Sequence, residues 1–531
     1  MSACPPATNA PARPGPDDRL VRALRERLSR GGRRAVALHE THLSWVLLAG
    51  KLALKIKKPL RLPFVDLSTV RARRANCDAE LRLNRRLAPA LYRAVLDVRG
   101  TVEAPSFAGA GPALDAVLVM RRFPDGALLS ERLAAGTLEP GRIDALALRI
   151  AAFHDAAPAL ADVDALAAAF APLESVLSQL APHVAPDWSE RAAAWLASSR
   201  RALAPLLRRR REQGAVRDVH GDLHLANTVA LGEADATAFD CLEFDAALRR
   251  IDVMADVAFL TMDLRARGRG DLAWRFLDRY LAARGDYGGL ATLRCFEAAR
   301  ACVRALVGAL SPAGAASGTN YAGLASVLMA PRQGAPRLAL LHGLAGSGKS
   351  TLAARLVEHA GAVRVRSDRE RKRLAGLAPL DRAGAAQGLY GAAATDATYE
   401  RLLACARDAL AAGYDTLVDA TFLSAPRRDA FARLARALGA DFAILACEAP
   451  EDVLRARLAR RAAQGADPSD ADAATLALQL READPLTAAE LEHTLHVDTS
   501  REPDVAALTG RWHAARYRTP RRPSRAAAAR A

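Results

Sequence analysis

Two stretches of this 531-residue chain set residue types at spacings that suit phosphoryl transfer. The first is Gly343-Leu344-Ala345-Gly346-Ser347-Gly348-Lys349-Ser350, followed by Thr351, which satisfies GxxxxGK[ST] at every specified position. Glycines at 343, 346 and 348 let the backbone turn its N–H groups inward, and a helix starting here adds its positive end to a polyphosphate site. Lys349 then reaches the β/γ-phosphates and the Ser350 hydroxyl holds Mg²⁺. Gly343, Gly346, Ser347, Gly348, Lys349, Ser350 and Thr351 are therefore the candidates for binding ATP. The second stretch is Val219-His220-Gly221-Asp222-Leu223-His224-Leu225-Ala226-Asn227. Two short runs follow it, Thr228 to Leu231 and Ala236 to Phe239, around the turn signal Gly232-Glu233-Ala234-Asp235 and ending at Asp240. Paired as a hairpin, they bring Asn227 and Asp240 to the same open end, where two side-chain oxygens can hold Mg²⁺. Asp222 then faces the metal, placed to orient an acceptor hydroxyl and take its proton. The competing reading is a polar loop whose Asp and Asn cap turns. His220 and His224 have no third ligand at zinc-type spacing.

Lys51, Lys55, Lys57, Lys58, Lys349 and Lys372 are the only lysines among 75 basic residues. Arginine replaces lysine on a solvated surface but not where a compact ammonium must sit among phosphate oxygens. One lysine belongs to the first motif, and the four between 51 and 58 mark a second phosphate site near residue 55. The period of two in Leu52 to Lys57 puts Lys55 and Lys57 on one face and Leu54 and Ile56 on the other. Glu80, in the helix-like segment Ser68 to Leu87, either pairs with Lys55 or stays a solvated helix charge among arginines.

His220-Gly221-Asp222-Leu223-His224-x-x-Asn227 resembles the catalytic motif of the aminoglycoside phosphotransferase family, whose fold is protein-kinase-like. The resemblance implies an α+β bilobal fold, with Asp222 as catalytic base and Asn227 and Asp240 as Mg²⁺ ligands. It also implies Lys55 as the β-lobe lysine for the nucleotide phosphates, with Lys57 as its rival, and a structural role for the two histidines. No GxGxxG loop is present, so the remaining phosphate contacts would come from the backbone around Thr41 to Ser44. The part after Pro336 is similar to small P-loop kinases such as gluconate kinase and adenylylsulfate kinase, and to zeta-toxin-like kinases. The full chain resembles the bacterial bifunctional aminoglycoside phosphotransferase/ATP-binding proteins, also described as AAA-family ATPases. Neither acceptor follows from the motifs, since these handle ATP.

The elements that must position these residues are legible in outline. Residues 1 to 18 read as a disordered leader and Arg19 to Arg30 as a basic amphipathic helix. His42 to Leu48 and Leu52 to Lys57 form a hairpin around Ala49-Gly50-Lys51. A strand-rich stretch runs from Pro89 to Arg121, and helical pattern fills Leu128 to Arg211, where His154 reads as a packing residue. Asp252 and Asp256 stand a helical turn apart, and Asp252 either braces the catalytic loop or is a surface charge. Helical pattern continues to Leu310. Ser311 to Asn320 is a break, Tyr321 to Leu328 a further helix, and 331–336 a linker between a domain at 19–330 and a second at 337–515.

In the second domain β and α signals alternate, as for an α/β fold with a parallel sheet. Arg337 to His342, Val363 to Arg366, Thr416 to Val418, Phe442 to Ala446 and Leu495 to Val497 are its strands, and Leu352 to His359 the first helix. Ligands bind beyond the carboxyl ends of such strands, which places Asp368 and Asp419 at the first motif. One would hold Mg²⁺ through water and the other would bind or deprotonate the acceptor. Arg371 and Lys372 suit an anionic substrate. Arg457, Arg460 and Arg461, ahead of the turn 464–468, suit a lid that closes positive charge over the phosphoryl group, with a solvated helix face as the plain alternative.

The formal charge of +16 would favour nucleic acid as a partner, but the skew to arginine points as much to coding bias, so the partners expected are small-molecule phosphate acceptors. The tail 516–531 reads as a basic disordered segment with loose anion binding, and nucleic-acid binding through it is the weakest of the alternatives. Seven cysteines form no CxxC pair, and no uncharged run reaches membrane-span length, so a soluble cytoplasmic protein is expected. A nucleotide-gated regulatory protein, with the kinase-like half as a scaffold or binding module, is the alternative to an enzyme with two sites.

Overall fold

The computed structural model of the protein describes residues 16–30, 35–62, 65–310, 318–378, 381, 389–464 and 471–514. Most of the leader, part of the break after Leu310, the turn after Gln464 and the basic tail lie outside the described residues. The chain divides into two compact units, Met1–Leu138 with Asp218–Ile251, and Glu139–Arg217 with Asp252–Ala531.

In the first unit an antiparallel sheet runs in the order Ala37–Glu40, Ser44–Ala49, Leu52–Lys57, Asp115–Arg121, Tyr92–Gly100, Pro105–Ser106. Ala49 pairs with Leu52 across a two-residue turn in which Gly50 adopts φ 59, a left-handed conformation that suits glycine. Alternation then sorts the faces. Leu54 and Ile56 enter an apolar cluster with Leu20, Leu24 and Trp45, while Lys55 and Lys57 turn to the other side. That side is covered by the helix Val70–Asn84, started by Thr69, whose side chain accepts from the Ala72 N–H. Its buried stripe is Arg73, Cys77, Glu80, Leu83 and Asn84. Arg73 clamps it to the sheet through Asp115 at 2.9 Å and the Leu67 carbonyl at 3.0 Å. The hairpin Thr228–Leu231 with Asp235–Ala238 completes the unit, in register Thr228 to Ala238.

The second unit joins two kinds of structure. Helices Pro140–Ala156, Ala165–Leu180, Pro186–Glu212, Val253–Ala266, Gly270–Arg284, Leu290–Leu310 and Tyr321–Met329 supply its first part. Its second part is a five-stranded parallel sheet in the order Val363–Arg366, Thr416–Asp419, Arg337–His342, Asp441–Glu448, Thr494–Asp498. The central strand is apolar on both faces because helices cover both, and Leu338 to Leu341 are fully buried. The fold class read from the sequence holds in its layers: a part with an antiparallel sheet and helices is followed by an α/β part with a parallel sheet. Two local readings change. Asp252 is not a surface charge: it is buried and paired with Arg210 at 2.7 and 2.8 Å. Lys372 is buried too, donating to the Asp381 carbonyl at 2.7 Å, so it does not present its ammonium to a substrate. Among the described residues no helix is long and apolar enough to cross a membrane.

Candidate active sites

In the first unit the hairpin places Asn227 and Asp240 at one end, since the Phe239 N–H donates to the Asn227 carbonyl at 2.9 Å. Asp240 takes φ 62, a rare conformation for a residue with a side chain. It is held there by the Tyr92 hydroxyl, which accepts from the Asp240 N–H at 3.0 Å, and by Asn84, which accepts from the Cys241 N–H at 2.8 Å. The loop ahead is equally fixed. His220 is fully buried, with Nε2 2.9 Å from the Phe239 carbonyl and Nδ1 accepting the Asp222 N–H at 3.3 Å. A carbonyl can only accept, so the ring proton sits on Nε2. Gly221 has φ 83, and a Cβ there would lie 3.0 Å from the Leu248 carbonyl oxygen and from Arg249 Cβ. Asn227 Nδ2 donates at 3.0 Å to both the carbonyl and the carboxylate of Asp222, and His224 Nε2 lies 3.5 Å from that carboxylate.

Both rival lysines reach Glu80, which is fully buried rather than solvated. Lys55 Nζ lies 2.8 Å from one of its oxygens and Lys57 Nζ 2.6 Å from the other. They then diverge: Lys55 continues to Asp240 at 2.6 Å and Lys57 to Glu243 at 2.6 Å. Burial would lower the Lys55 ammonium, but Asp240, Glu80 and Glu243 outweigh it and hold its pKa well above the usual lysine range. Asp240 sits below the usual carboxylate range, because Lys55 overcomes the burial that would raise it. In the turn Thr41 to Ser44, two N–H groups are engaged within the turn itself: Thr41 N–H donates to the Ser44 carbonyl and Ser44 N–H to the Thr41 hydroxyl.

In the second unit the loop 343–348 joins the central strand to the helix Lys349–Leu356. Each motif glycine is required by a neighbour. A Cβ would lie 2.5 Å from the Cys447 carbonyl oxygen at Gly343, 2.8 Å from that of Leu454 at Gly346, and 3.3 Å from Thr499 at Gly348. Lys349 folds over the loop, donating to the Gly343 and Leu344 carbonyls at 2.8 Å and to the Ser347 hydroxyl at 3.3 Å. Burial depresses its pKa, as expected of a cation waiting on a phosphate. Ser350 Oγ donates to Asp419 Oδ1 at 3.1 Å, while Asp419 Oδ2, also buried, has no hydrogen-bond partner. That oxygen faces Arg366 Nε at 3.7 Å and Arg364 at 3.9 Å, and beside the Ser350 hydroxyl it fits a divalent cation.

The loop opens on a cleft of about 740 Å³ lined by Lys349, Thr351, seven arginines and only three acids, Asp368, Asp419 and Glu502. Asp368 stands in the first turn of the helix Ser367–Leu374. Arg371 lies over Tyr390 at 5.0 Å, and Arg427 over Tyr399 at 4.5 Å. Arg457 donates to the Gly346 carbonyl at 3.3 Å, Arg461 to that of Ala471 at 2.8 Å, and both line the cleft with Arg460.

Sequence reasoning missed Glu243, Tyr92 and Asn84; Glu243, between Leu242 and Phe244, carried a signal as a charge between apolar neighbours, whereas Asn84 among arginines carried none. It also missed Arg364 and Arg366, two arginines in a strand that a doubly covered sheet should keep apolar.

Residues 338–486 match the family model described as AAA domain. Over 456 residues the chain is 32% identical to the protein described as uncharacterized protein Rv2004c from Mycobacterium tuberculosis (strain ATCC 25618 / H37Rv), covering 83% of this chain and 89% of the relative. Among solved structures, a choline/ethanolamine kinase family protein from Mesorhizobium loti aligns at 16% identity over 58% of this chain and 92% of that chain, with a TM-score of 0.36. A gluconokinase from Sinorhizobium meliloti 1021 aligns at 21% identity over 34% of this chain and 93% of that chain, with a TM-score of 0.24. The AAA domain match and the geometry of the loop make the C-terminal part a nucleotide-binding P-loop domain, and the chain an enzyme of the phosphotransferase or ATPase kind.

Proposed function

The chain belongs to the family of the mycobacterial protein Rv2004c, and on that premise we propose that it is an ATP-dependent phosphotransferase with two sites, in domains 19–330 and 337–515. Each moves the γ-phosphoryl group of ATP to a small-molecule acceptor. The observation that carries this reading is that each site sets a lysine, half-buried in the first and buried in the second, beside side-chain oxygens for a cation: Lys55 with Asp240, and Lys349 with the Ser350–Asp419 pair.

In the first site Asn227 aims the Asp222 carboxylate, which takes the proton of the acceptor hydroxyl as its oxygen attacks phosphorus. Lys55, braced by Glu80, neutralises the nucleotide phosphates, and Lys57 serves as a structural cation. In the second site Lys349 leaves the loop carbonyls for the β/γ-phosphates, and Arg457 and Arg461 add positive charge as the cleft closes. Asp419, bonded to Ser350, takes the cation side, which leaves Asp368 for the acceptor hydroxyl. Mg²⁺, held by Asn227 and Asp240 in one site and by Ser350 with Asp419 in the other, supplies charge neutralisation at the phosphate oxygens when bound. The excess of arginine over acid in the cleft favours an acceptor that carries an anionic group of its own. A reducing cytoplasmic setting agrees with the six free cysteines among the described residues.

Calorimetry with Mg²⁺–ATP tests the reading. Two sites are expected in the intact protein and one in Lys349→Ala. One site falling to none would leave the first unit without a nucleotide site and make it a scaffold. A labelled-ATP screen against small anions, which should find an acceptor, follows for the second site.

A further inference from the structure

The P-loop domain is locked to the helices before it by charge. The guanidinium of Arg364, on the edge strand Val363–Arg366, is buried and points away from its own sheet to Asp278 on the helix Gly270–Arg284, with bonds of 3.0 and 2.6 Å. Its third nitrogen donates to the Ser350 carbonyl at 3.0 Å and lies 3.9 Å from Asp419 Oδ2. Arg364 thus touches, at once, a carboxylate of the helical part and both residues assigned to the cation. The same helix is gripped at other points. Trp274 lies over Gly361, where a Cβ would be 2.7 Å from its indole nitrogen, and Arg275 bridges Asp144 and Glu358 at 2.6 Å each. Arg373 caps its last turn through the Ala282 and Ala283 carbonyls at 2.7 and 2.9 Å.

We propose that Asp278 is a positioning residue of the P-loop site: Arg366 Nε already stands 3.7 Å from Asp419 Oδ2, and by neutralising Arg364 Asp278 keeps that second guanidinium on the Ser350 carbonyl, so that it does not also compete with a cation for the Asp419 carboxylate. The helical segment then belongs to the P-loop enzyme as well as to the kinase-like half. The inference rests on the reading of Ser350 and Asp419 as the Mg²⁺ side of a nucleotide site. Without the Asp278 charge, the nearest carboxylate for Arg364 is Asp419, and an unpaired cation beside it competes with Mg²⁺ for the same oxygens. Nucleotide phosphates, by contrast, gain a nearby positive charge. Loss of Asp278 should therefore separate metal from nucleotide, which a general loosening of the fold cannot do.

The test measures nucleotide binding to the full chain by calorimetry, with ATP at increasing Mg²⁺ and with ATP in chelator. Heat lost in Lys349→Ala is assigned to this site. In Asp278→Asn the Mg²⁺ concentration for half-maximal effect should rise about tenfold, the usual scale of coupling through one neighbouring group, while metal-free ATP binds as tightly as in wild type or tighter. The double variant Asp278→Asn/Arg364→Gln, which removes both charges, should return the Mg²⁺ dependence towards wild type. Because the single variant leaves a buried cation unpaired and can fail to fold, Asp278→Glu is the second variant: it keeps the pair charged, but its longer arm pushes the Arg364 guanidinium from the Ser350 carbonyl towards Asp419, so Mg²⁺ dependence should shift in the same direction by a smaller factor in a folded chain. An unshifted Mg²⁺ dependence in a folded variant, or equal loss of metal-free and metal-bound nucleotide, would overturn the inference alone. No Lys349-dependent binding in wild type would overturn the reading of the site, and the inference with it.

Discussion

Asn227 donates to Asp222 twice, once to its carbonyl and once to its carboxylate, so the loop keeps its shape when only the charge is removed. Asp222→Asn should therefore lower turnover at the first site by about 10²–10⁴-fold, the usual contribution of a general base, with nucleotide affinity by calorimetry unchanged. A fall in affinity of the same size would make Asp222 a binding residue instead. Lys57 is a different case, with a side chain 2% exposed between two carboxylates. Lys57→Met should cost about 3–5 kcal/mol in denaturant unfolding, since it leaves a buried Glu243 uncompensated, and Lys57→Met/Glu243→Gln should recover most of that. A third residue acts through pH. His154 is fully buried between Tyr280, at 2.9 Å, and Asp256, at 3.2 Å. Burial lowers its pKa below the usual 6.5, against the pull of Asp256 and with some help from Arg284. The unfolded chain then binds the proton that the folded one refuses, so stability falls as pH drops through 6.5. The slope from this group is at most about 1.4 kcal/mol per pH unit. Unfolding of His154→Gln should lose that part of the slope between neutrality and the folded pKa. An unchanged slope would mean that the folded and unfolded chains take up this proton alike.

At the scale of elements, the P-loop depends on glycines that other strands and helices leave no room to replace. Gly346 has φ 81, and its added Cβ would meet the Leu454 carbonyl at 2.8 Å, a backbone atom that cannot rotate away. Gly346→Ala should cost about 1–3 kcal/mol of local strain and abolish the Lys349-dependent ATP site while leaving the first site intact; loss of both sites would point to global unfolding. The strand, loop and helix around this glycine were legible because each leaves a local mark: an apolar run, a glycine spacing, a helical period. The hairpin of Lys55 and Lys57 was legible for the same reason, since period two alone assigns faces. What local pattern could not supply was partnership. Glu243 lies 186 residues from Lys57 and Asp278 lies 86 from Arg364, and no periodicity links residues so far apart. Arg364, one of two arginines alternating with valines in a covered strand, was the visible half of such a pair. The choice between Lys55 and Lys57 stayed open in the sequence because both point the same way and both reach Glu80; only their second partners, Asp240 and Glu243, tell them apart.

For the whole molecule, the division by packing does not run along the chain. The helices of 139–217 and 252–329 share one compact unit with the P-loop sheet, and buried charge joins them at Asp278 and Arg364. A linker-like composition at 331–336 says that the chain is locally unstructured there, not that the elements on either side open independently. The consequence is measurable by hydrogen exchange. Amides of the helix Gly270–Arg284 and of the central strand Arg337–His342 should open with the same free energy, because the helix packs on the edge strand Val363–Arg366 and on Val357–Gly361 within the same compact unit as the central strand. Saturating Mg²⁺–ATP in a chain whose first site is disabled by Lys55→Met should raise both by about 2.7 kcal/mol at a hundredfold excess over Kd. The strand of the first unit, Asp115–Arg121, should not respond. If nucleotide protects the central strand but leaves the Trp274 and Asp278 helix exchanging as before, the P-loop part unfolds on its own and the helices are only its neighbours.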